Sequence, residues 1–440
     1  MGNSNLKNKN KFGIKNRNKK KNKKKNKNKI KEKEKKYTRK LSLMKRKSLN
    51  DVKSKNKKKN KNKKKFRSLT NMAQGFGNDK QLFDYGTNNL ALGSDQFLQR
   101  ILSHEQPQDS KKRIEFRILF LGCAEAGKST IIKNLKNLSM TKFSNEEKIE
   151  FRDAIRDLIF NNIKNLLLGS KYQLQLEFSS SLEALFLEFN KIPPKEKLRN
   201  SHWNLIQKIW ETDLIKQVYQ KREEFSKSEY QITDSIEIFL DQISKIKQPE
   251  FLPNTKEIIH CYLPTKFIVL EELVFDNIVL RIHDLPGYRN GRKQWPSVYD
   301  DIQVICFVVA LNEYDMSLRE SKGENRLRDS LNEFSNICSS PWFSKTKIIL
   351  IFNKTDLFKT KLQKKKLKSC FPEYNGDNSY QDAFEFIKSK FLHESIIGQY
   401  NKNRINIYLS NSTDINSVST TFNCITNKII DRDMEKNFNK

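Results

Sequence analysis

Three short strings in this 440-residue chain carry residue types suited to a phosphorylated ligand. The first is Gly122-Cys123-Ala124-Glu125-Ala126-Gly127-Lys128-Ser129, followed by Thr130, which reads as G-x-x-x-x-G-K-S. Backbone N–H groups in such a loop, reinforced by a helix N-terminus, wrap a polyphosphate. Lys128 would reach the outer phosphates and the Ser129 hydroxyl would bind Mg²⁺. The second string is Asp284-Leu285-Pro286-Gly287, a D-x-x-G pattern. It offers a carboxylate to Mg²⁺ through water and a glycine N–H to a terminal phosphate. Thr265 is a candidate second hydroxyl ligand to the metal. The third string is Asn353-Lys354-Thr355-Asp356. A carboxylate at Asp356 can accept two hydrogen bonds from the N1–H and exocyclic amine of guanine, a donor pair that adenine lacks. Asn353 and Lys354 would brace this loop against the purine and the phosphate loop.

Each string needs an element to hold it. The apolar run Glu115–Leu121 leads straight into the glycine-rich loop, and a helical pattern follows, giving the strand–loop–helix context that the phosphate reading requires. Strand-like runs recur at Phe267–Phe275, Ile278–His283, Val304–Leu311, Ile348–Phe352 and Ile405–Leu409. They alternate with helical stretches, which predicts an α/β sheet with the D-x-x-G and N-K-x-D strings at strand carboxyl ends. Between Glu146 and Gln248 the period changes. Phe151, Ile155, Leu158, Ile159, Ile163, Leu166 and Leu167 recur at helical spacing, and Ile206, Ile209, Trp210, Leu214, Val218 and Tyr219 repeat it. These stripes read as the core of an all-helical block set inside the α/β domain.

With these motifs in place, the chain resembles the α subunit of heterotrimeric G proteins over roughly residues 113–440. Further strings carry the likeness: Tyr230–Ser235, Arg292-Lys293-Gln294-Trp295, Asn312–Asp315, Phe371–Tyr374 and Ser410–Asp414, together with Glu125. The resemblance implies a P-loop GTPase domain, with a mostly parallel six-stranded sheet and helices on both faces, at 113–137 and 256–440. An α-helical domain would be inserted at 138–255. It also implies GTP or GDP with Mg²⁺ as ligands, Ser412 beside guanine, and Asp234 and Ser235 overhanging the ribose. Four departures stand out. The family's arginine before the switch threonine corresponds to Tyr262, and its glutamine after D-x-x-G to Tyr288. A loop glycine has become Ala124, and Pro286 stands where the family has glycine. Arginine supplied to the transferring phosphate is credited with about 10³–10⁵ in rate, a figure that comes from this family and its relatives. Losing even the lower value raises the barrier by about 4 kcal/mol. The expectation is retained binding with turnover very low or absent. The competing reading is a non-switching scaffold whose basic tail binds membrane or nucleic acid.

Charge is confined to one end. The chain carries 85 Lys and Arg against 51 Asp and Glu, a net +34, and residues 1–70 alone hold 32 bases and three acids. The remainder is nearly neutral, which argues against a uniformly basic nucleic-acid-binding fold. The Lys/Asn-rich stretch 1–70 reads as a disordered tail, and 71–112 as a linker with one short helix at Ser94–Leu102. The longest apolar run, Val304–Leu311, is too short to cross a bilayer, and a secretory leader is not expected. Six scattered cysteines read as reduced core thiols of the cytosol.

The tail suggests the cytoplasmic face of an anionic membrane, with Gly2 a partial match to the myristoylation pattern. Specific nucleic-acid binding is not expected, since stacking aromatics are absent from the tail. The resemblance implies a βγ dimer and a seven-helix receptor as partners. The short helix before the loop, and an end at Asn437–Lys440 without the family's Cys and apolar pair, leave both open.

Overall fold

Strict alternation builds the sheet. In a computed structural model, β1 (Ile114–Leu121) turns Leu119 and Leu121 to one face and Phe116, Ile118 and Phe120 to the other, all buried. The same alternation runs through β4 (Val304–Ala310), buried at every position, and β5 (Lys347–Asn353). The structure describes residues 114–423 apart from 194–195, 276–277 and 322. The tail, the Ser94–Leu102 helix, Gly2 and the last residues of the chain lie outside the described residues.

Among the described residues six strands follow the order β2-β3-β1-β4-β5-β6, with β2 (Val269–Phe275), β3 (Ile278–Asp284) and β6 (Ile405–Leu409) completing the set. Only β2 runs antiparallel, pairing with β3 from Val269 opposite Asp284 to Phe275 opposite Ile278. The other pairs are parallel. Strands on either side of β1 wind in opposite directions, so the loop after β1 opens into the crevice where such sheets bind ligands.

Helices cover both faces. On one face, α1 (Lys128–Leu138) packs Ile131, Ile132 and Leu135 on the sheet beside Val418 and Phe422 of a helix over 415–423. On the other, α7 (Arg326–Cys338) and α8 (Tyr380–Ile397) supply Leu327, Leu331, Phe334, Phe384, Ile387 and Phe391.

The helical stretch has an apolar core of its own. It is drawn from α2 (Asn145–Leu168), α3 (Ser180–Phe189), α4 (Asn200–Glu211), α5 (Asp213–Gln220) and the turns that follow. Ser144 and Glu147 close a reciprocal capping box at the start of α2, which fixes where this block begins. The second apolar stripe does not run as one helix. Thr212 is extended (φ −70°, ψ 127°) and ends α4 just before α5 starts, its hydroxyl bonding back to the Lys208 carbonyl at 3.1 Å. The chain returns through α6 (Thr255–His260), whose Asn254–Glu257 capping box sets its entry, and α6 packs on α1. Cys261, just beyond α6, belongs to the helical core, so that core extends past residue 255.

Five described cysteines, Cys123, Cys261, Cys306, Cys338 and Cys370, are free and buried. No described helix is long and apolar enough to cross a membrane.

Candidate functional site

The phosphate loop keeps its shape because two glycines sit where no side chain fits. Gly122 has φ +132°, and a Cβ there would lie 2.3 Å from the Val308 carbonyl oxygen. Gly127 has φ +98°, and a Cβ there would lie 2.1 Å from Asn353 Nδ2. Gly127 is also the N-cap of α1 with no side-chain cap, so the first N–H groups of that helix are left for a ligand. Lys128 folds over the loop and donates to the Gly122 and Cys123 carbonyls at 2.9 and 2.8 Å. Burial holds its ammonium below the usual lysine range, opposed by the Asp284 carboxylate.

Asn353 ties three loops together. Its Nδ2 donates to the Ala126 carbonyl at 2.8 Å and to Ser412 Oγ at 3.1 Å, and its Oδ1 accepts the Ser412 N–H at 2.9 Å. Lys354, in the left-handed conformation at φ 60°, makes no hydrogen bond to the phosphate loop. It reaches across to the helical segment, donating to Asp234 Oδ2 at 2.9 Å and Glu313 Oε1 at 3.0 Å. Ser235 lines the cleft, but its hydroxyl donates to the His260 carbonyl at 2.6 Å. Asp356 lies exposed at the cleft's rim.

Three oxygen-bearing side chains converge beside the loop. Ser129 Oγ lies 2.5 Å from Asp284 Oδ2 and 3.0 Å from Thr265 Oγ1, and Thr265 donates to the same carboxylate oxygen at 3.3 Å. The other oxygen, Asp284 Oδ1, is buried without a hydrogen-bond partner. Burial raises this carboxyl, against the pull of Lys128 and of the two hydroxyls. An orphaned carboxylate oxygen among hydroxyls is a donor set that suits a small hard cation. No group of three or more His, Cys, Asp or Glu able to hold a metal occurs among the described residues. A cation here would therefore depend on hydroxyl and phosphate oxygens.

These pieces surround an open cleft. Its walls include Ala124, Glu125, Gly127, Lys128, Ser129 and Thr130 from the loop, and Asp234 and Ser235 from the helical segment. Thr265, Gly287, Lys354, Asp356 and Ser412 complete it. Gly122, Ala126, Asn353 and Asp284 stand behind this lining and position it. Tyr262 and Tyr288 meet in the wall of the cleft, oxygen to oxygen at 2.6 Å. Burial pushes both phenols up, so both are protonated at neutral pH. Gly287 packs so tightly that a Cβ on it would be 2.4 Å from the Ala124 nitrogen, which places the extra methyl of Ala124 beside the D-x-x-G loop.

Further contacts shape the site. Lys133 donates to the Cys261 and Ile258 carbonyls at 2.7 and 3.2 Å, fixing the end of α6 from which Tyr262 projects. Glu125 accepts from Arg319 at 2.6 Å and Arg326 at 3.1 Å, and both arginines also bond Gln231 of the helical segment. Arg292 donates to the Gly287 carbonyl at 2.9 Å and pairs with Asp329, which also receives Arg289. Glu313, Gln231 and Arg292 fall inside the recognised strings. Arg319 and Asp329 do not, and no local pattern marks them.

Burial alone would raise the Glu125 carboxyl, but the Arg326 and Arg319 guanidiniums outweigh it and hold it well below the ordinary carboxylate range. A depressed folded value contributes stability above the unfolded value, near pH 4.3, that is lost as pH falls below it. In urea denaturation the wild type should therefore lose stability more steeply between about pH 5 and pH 3 than Glu125→Gln does. Equal slopes would remove Glu125 from the acid limb.

Comparison with known proteins agrees with this geometry. The profile of a family described as "G-protein alpha subunit" matches residues 94–429. The guanine nucleotide-binding protein alpha-2 subunit of Dictyostelium discoideum is 32% identical over 328 residues, covering 73% of this chain and 90% of the relative. The alpha-16 subunit of Caenorhabditis briggsae is 30% identical over 342 residues, covering 76% and 92%. The alpha-4 subunit of Dictyostelium discoideum is 35% identical over 288 residues, covering 64% and 81%. A nucleotide cleft built on this sheet, and a family match spanning most of the sequence, lead to one conclusion: the chain belongs to the G-protein alpha subunit family and is a guanine-nucleotide-binding signalling protein.

Proposed function

We propose that this protein holds GTP or GDP with Mg²⁺ and hydrolyses GTP extremely slowly. The observation that carries the reading is the Tyr262–Tyr288 hydrogen bond at the two positions where the family keeps its arginine and glutamine. A phenol protonated at neutral pH donates a hydrogen bond but brings no positive charge to a transferring phosphate. The binding groups are all present, from Lys128 and Ser129 to Asn353 and Asp356. Mg²⁺ would be held by the Ser129 and Thr265 hydroxyls with Asp284 acting through water, and it would neutralise phosphate charge. The chain's own residues cradle the phosphates, select the base and exclude water at the tyrosine end.

Tyr262→Arg combined with Tyr288→Gln should raise single-turnover hydrolysis by about 10²–10³, short of the full arginine effect because Ala124 and Pro286 remain. A wild-type rate typical of family members would sink the proposal, whatever the double variant does.

A second reading has its own support. Arg292 and Arg289 on Asp329, with Arg292 on the Gly287 carbonyl, hold the loop after β3 through contacts that need no phosphate. A loop held in this way suits a scaffold that does not switch. Trypsin digestion in GDP and in a non-hydrolysable GTP analogue separates the two: the switching reading expects different fragment patterns, the scaffold identical ones.

In this proposal the basic stretch 1–70 is what would draw the protein to the cytoplasmic face of an anionic membrane. Lysines near such a surface contribute about 1 kcal/mol each, limited by salt and mutual repulsion. Binding to phosphatidylserine vesicles should weaken with salt and vanish on deletion of residues 1–70. Sedimentation that ignores both changes would remove the membrane role. A βγ dimer and a seven-helix receptor are the partners that family membership suggests.

A further inference from the structure

The two tyrosines reach each other from separate parts of the fold. Tyr262 follows α6, and its ring leans on the helical core. Tyr288 follows Gly287, whose backbone is pressed against Cys123 and Ala124 of the phosphate loop. Both line the cleft beside Ser129, Thr265 and Gly287. Two hydroxyls carry two protons, and the O–H···O bond between them uses one. No second hydrogen bond joins either hydroxyl to another described residue. Nearby Glu125 accepts from Arg319 on one oxygen and from Arg326 on the other, and from neither phenol. The accepting phenol is left with an O–H to donate, in a cleft whose neighbouring groups suit anionic oxygen.

We propose that the Tyr262–Tyr288 pair binds the terminal phosphate of a nucleoside triphosphate. One phenol donates to the other, and the second donates to a phosphate oxygen that a diphosphate lacks. The two positions that lack the family's arginine and glutamine thus become a determinant of triphosphate over diphosphate affinity. This rests on reading the cleft as a guanine-nucleotide site, and not on how fast GTP is hydrolysed.

The test is equilibrium displacement of a fluorescent GDP by unlabelled GDP and by a non-hydrolysable GTP analogue, in excess Mg²⁺. The full chain is compared with Tyr262→Phe, Tyr288→Phe and the double variant. Phenylalanine keeps the ring and its packing and removes only the oxygen. The readout is the ratio of GTP-analogue to GDP affinity. In the double variant this ratio should fall about tenfold, the size of one hydrogen bond to a charged oxygen. One single variant, the one lacking the direct donor, should match it. A ratio within about twofold of wild type in all three variants would overturn the proposal, including the case where both nucleotides weaken equally. If the double variant does not fold, the two singles decide on the same criterion. Wild-type protein that binds neither nucleotide would overturn the reading of the site itself, and this assignment with it.

Discussion

The site depends on the side-chain amide of Asn353. Fully buried, it bonds the loop after β1 through Ala126 and the loop after β6 through Ser412, while standing at the end of β5 itself. Gly127 is glycine because this amide occupies the space a Cβ would need. The phosphate loop, the base-recognition loop and the Ser410–Asp414 loop are therefore one packed unit, and none can shift without leaving a buried polar group unpaired. Such groups cost about 1–3 kcal/mol each, so the arrangement is rigid before any ligand arrives.

Charge organises the second layer. Glu125, Glu313 and Asp234 are each shared with arginines or lysines from a different segment, and Gln231 is held by two arginines at once. Burial would lower the Lys354 ammonium, but Asp234 and Glu313 outweigh it and hold it above the usual lysine range, so the link from base loop to helical segment stays charged. Removing one partner would strand a buried charge, which costs far more than the net worth of an intact pair. The cleft is framed by contacts among protein groups, and the Tyr262–Tyr288 bond closes that frame in the cleft wall.

Much of this was legible in the sequence because its causes are local. Glycines at 122 and 127, Lys128 and Ser129 announce a loop whose backbone does the binding, and the unbroken apolar run Val304–Ala310 announces a buried strand. The break at Thr212 was not legible. The apolar stripe from Ile206 to Tyr219 keeps helical spacing through it, and the interruption is a local turn that periodicity does not register. Lys354 was expected to brace the phosphate loop, whereas the carboxylates that claim it come from residues 234 and 313. Arg319 on Glu125 joins positions 194 apart in sequence, and no short-range pattern encodes such a contact. That positions 262 and 288 are both tyrosine is plain from the sequence. That they bond each other across the cleft is a property of the fold.

The central claim is a competent binding site without competent turnover. Its most direct measurement is the identity of the nucleotide that stays on the protein. Wild-type protein loaded with GTP and Mg²⁺ is freed of excess ligand, held at 25 °C, denatured at intervals and chromatographed. Bound GTP is expected to persist as GTP long after an ordinary family member would have converted it, with retention lost when Mg²⁺ is chelated. Steady conversion of bound GTP to GDP at a rate ordinary for the family would contradict it.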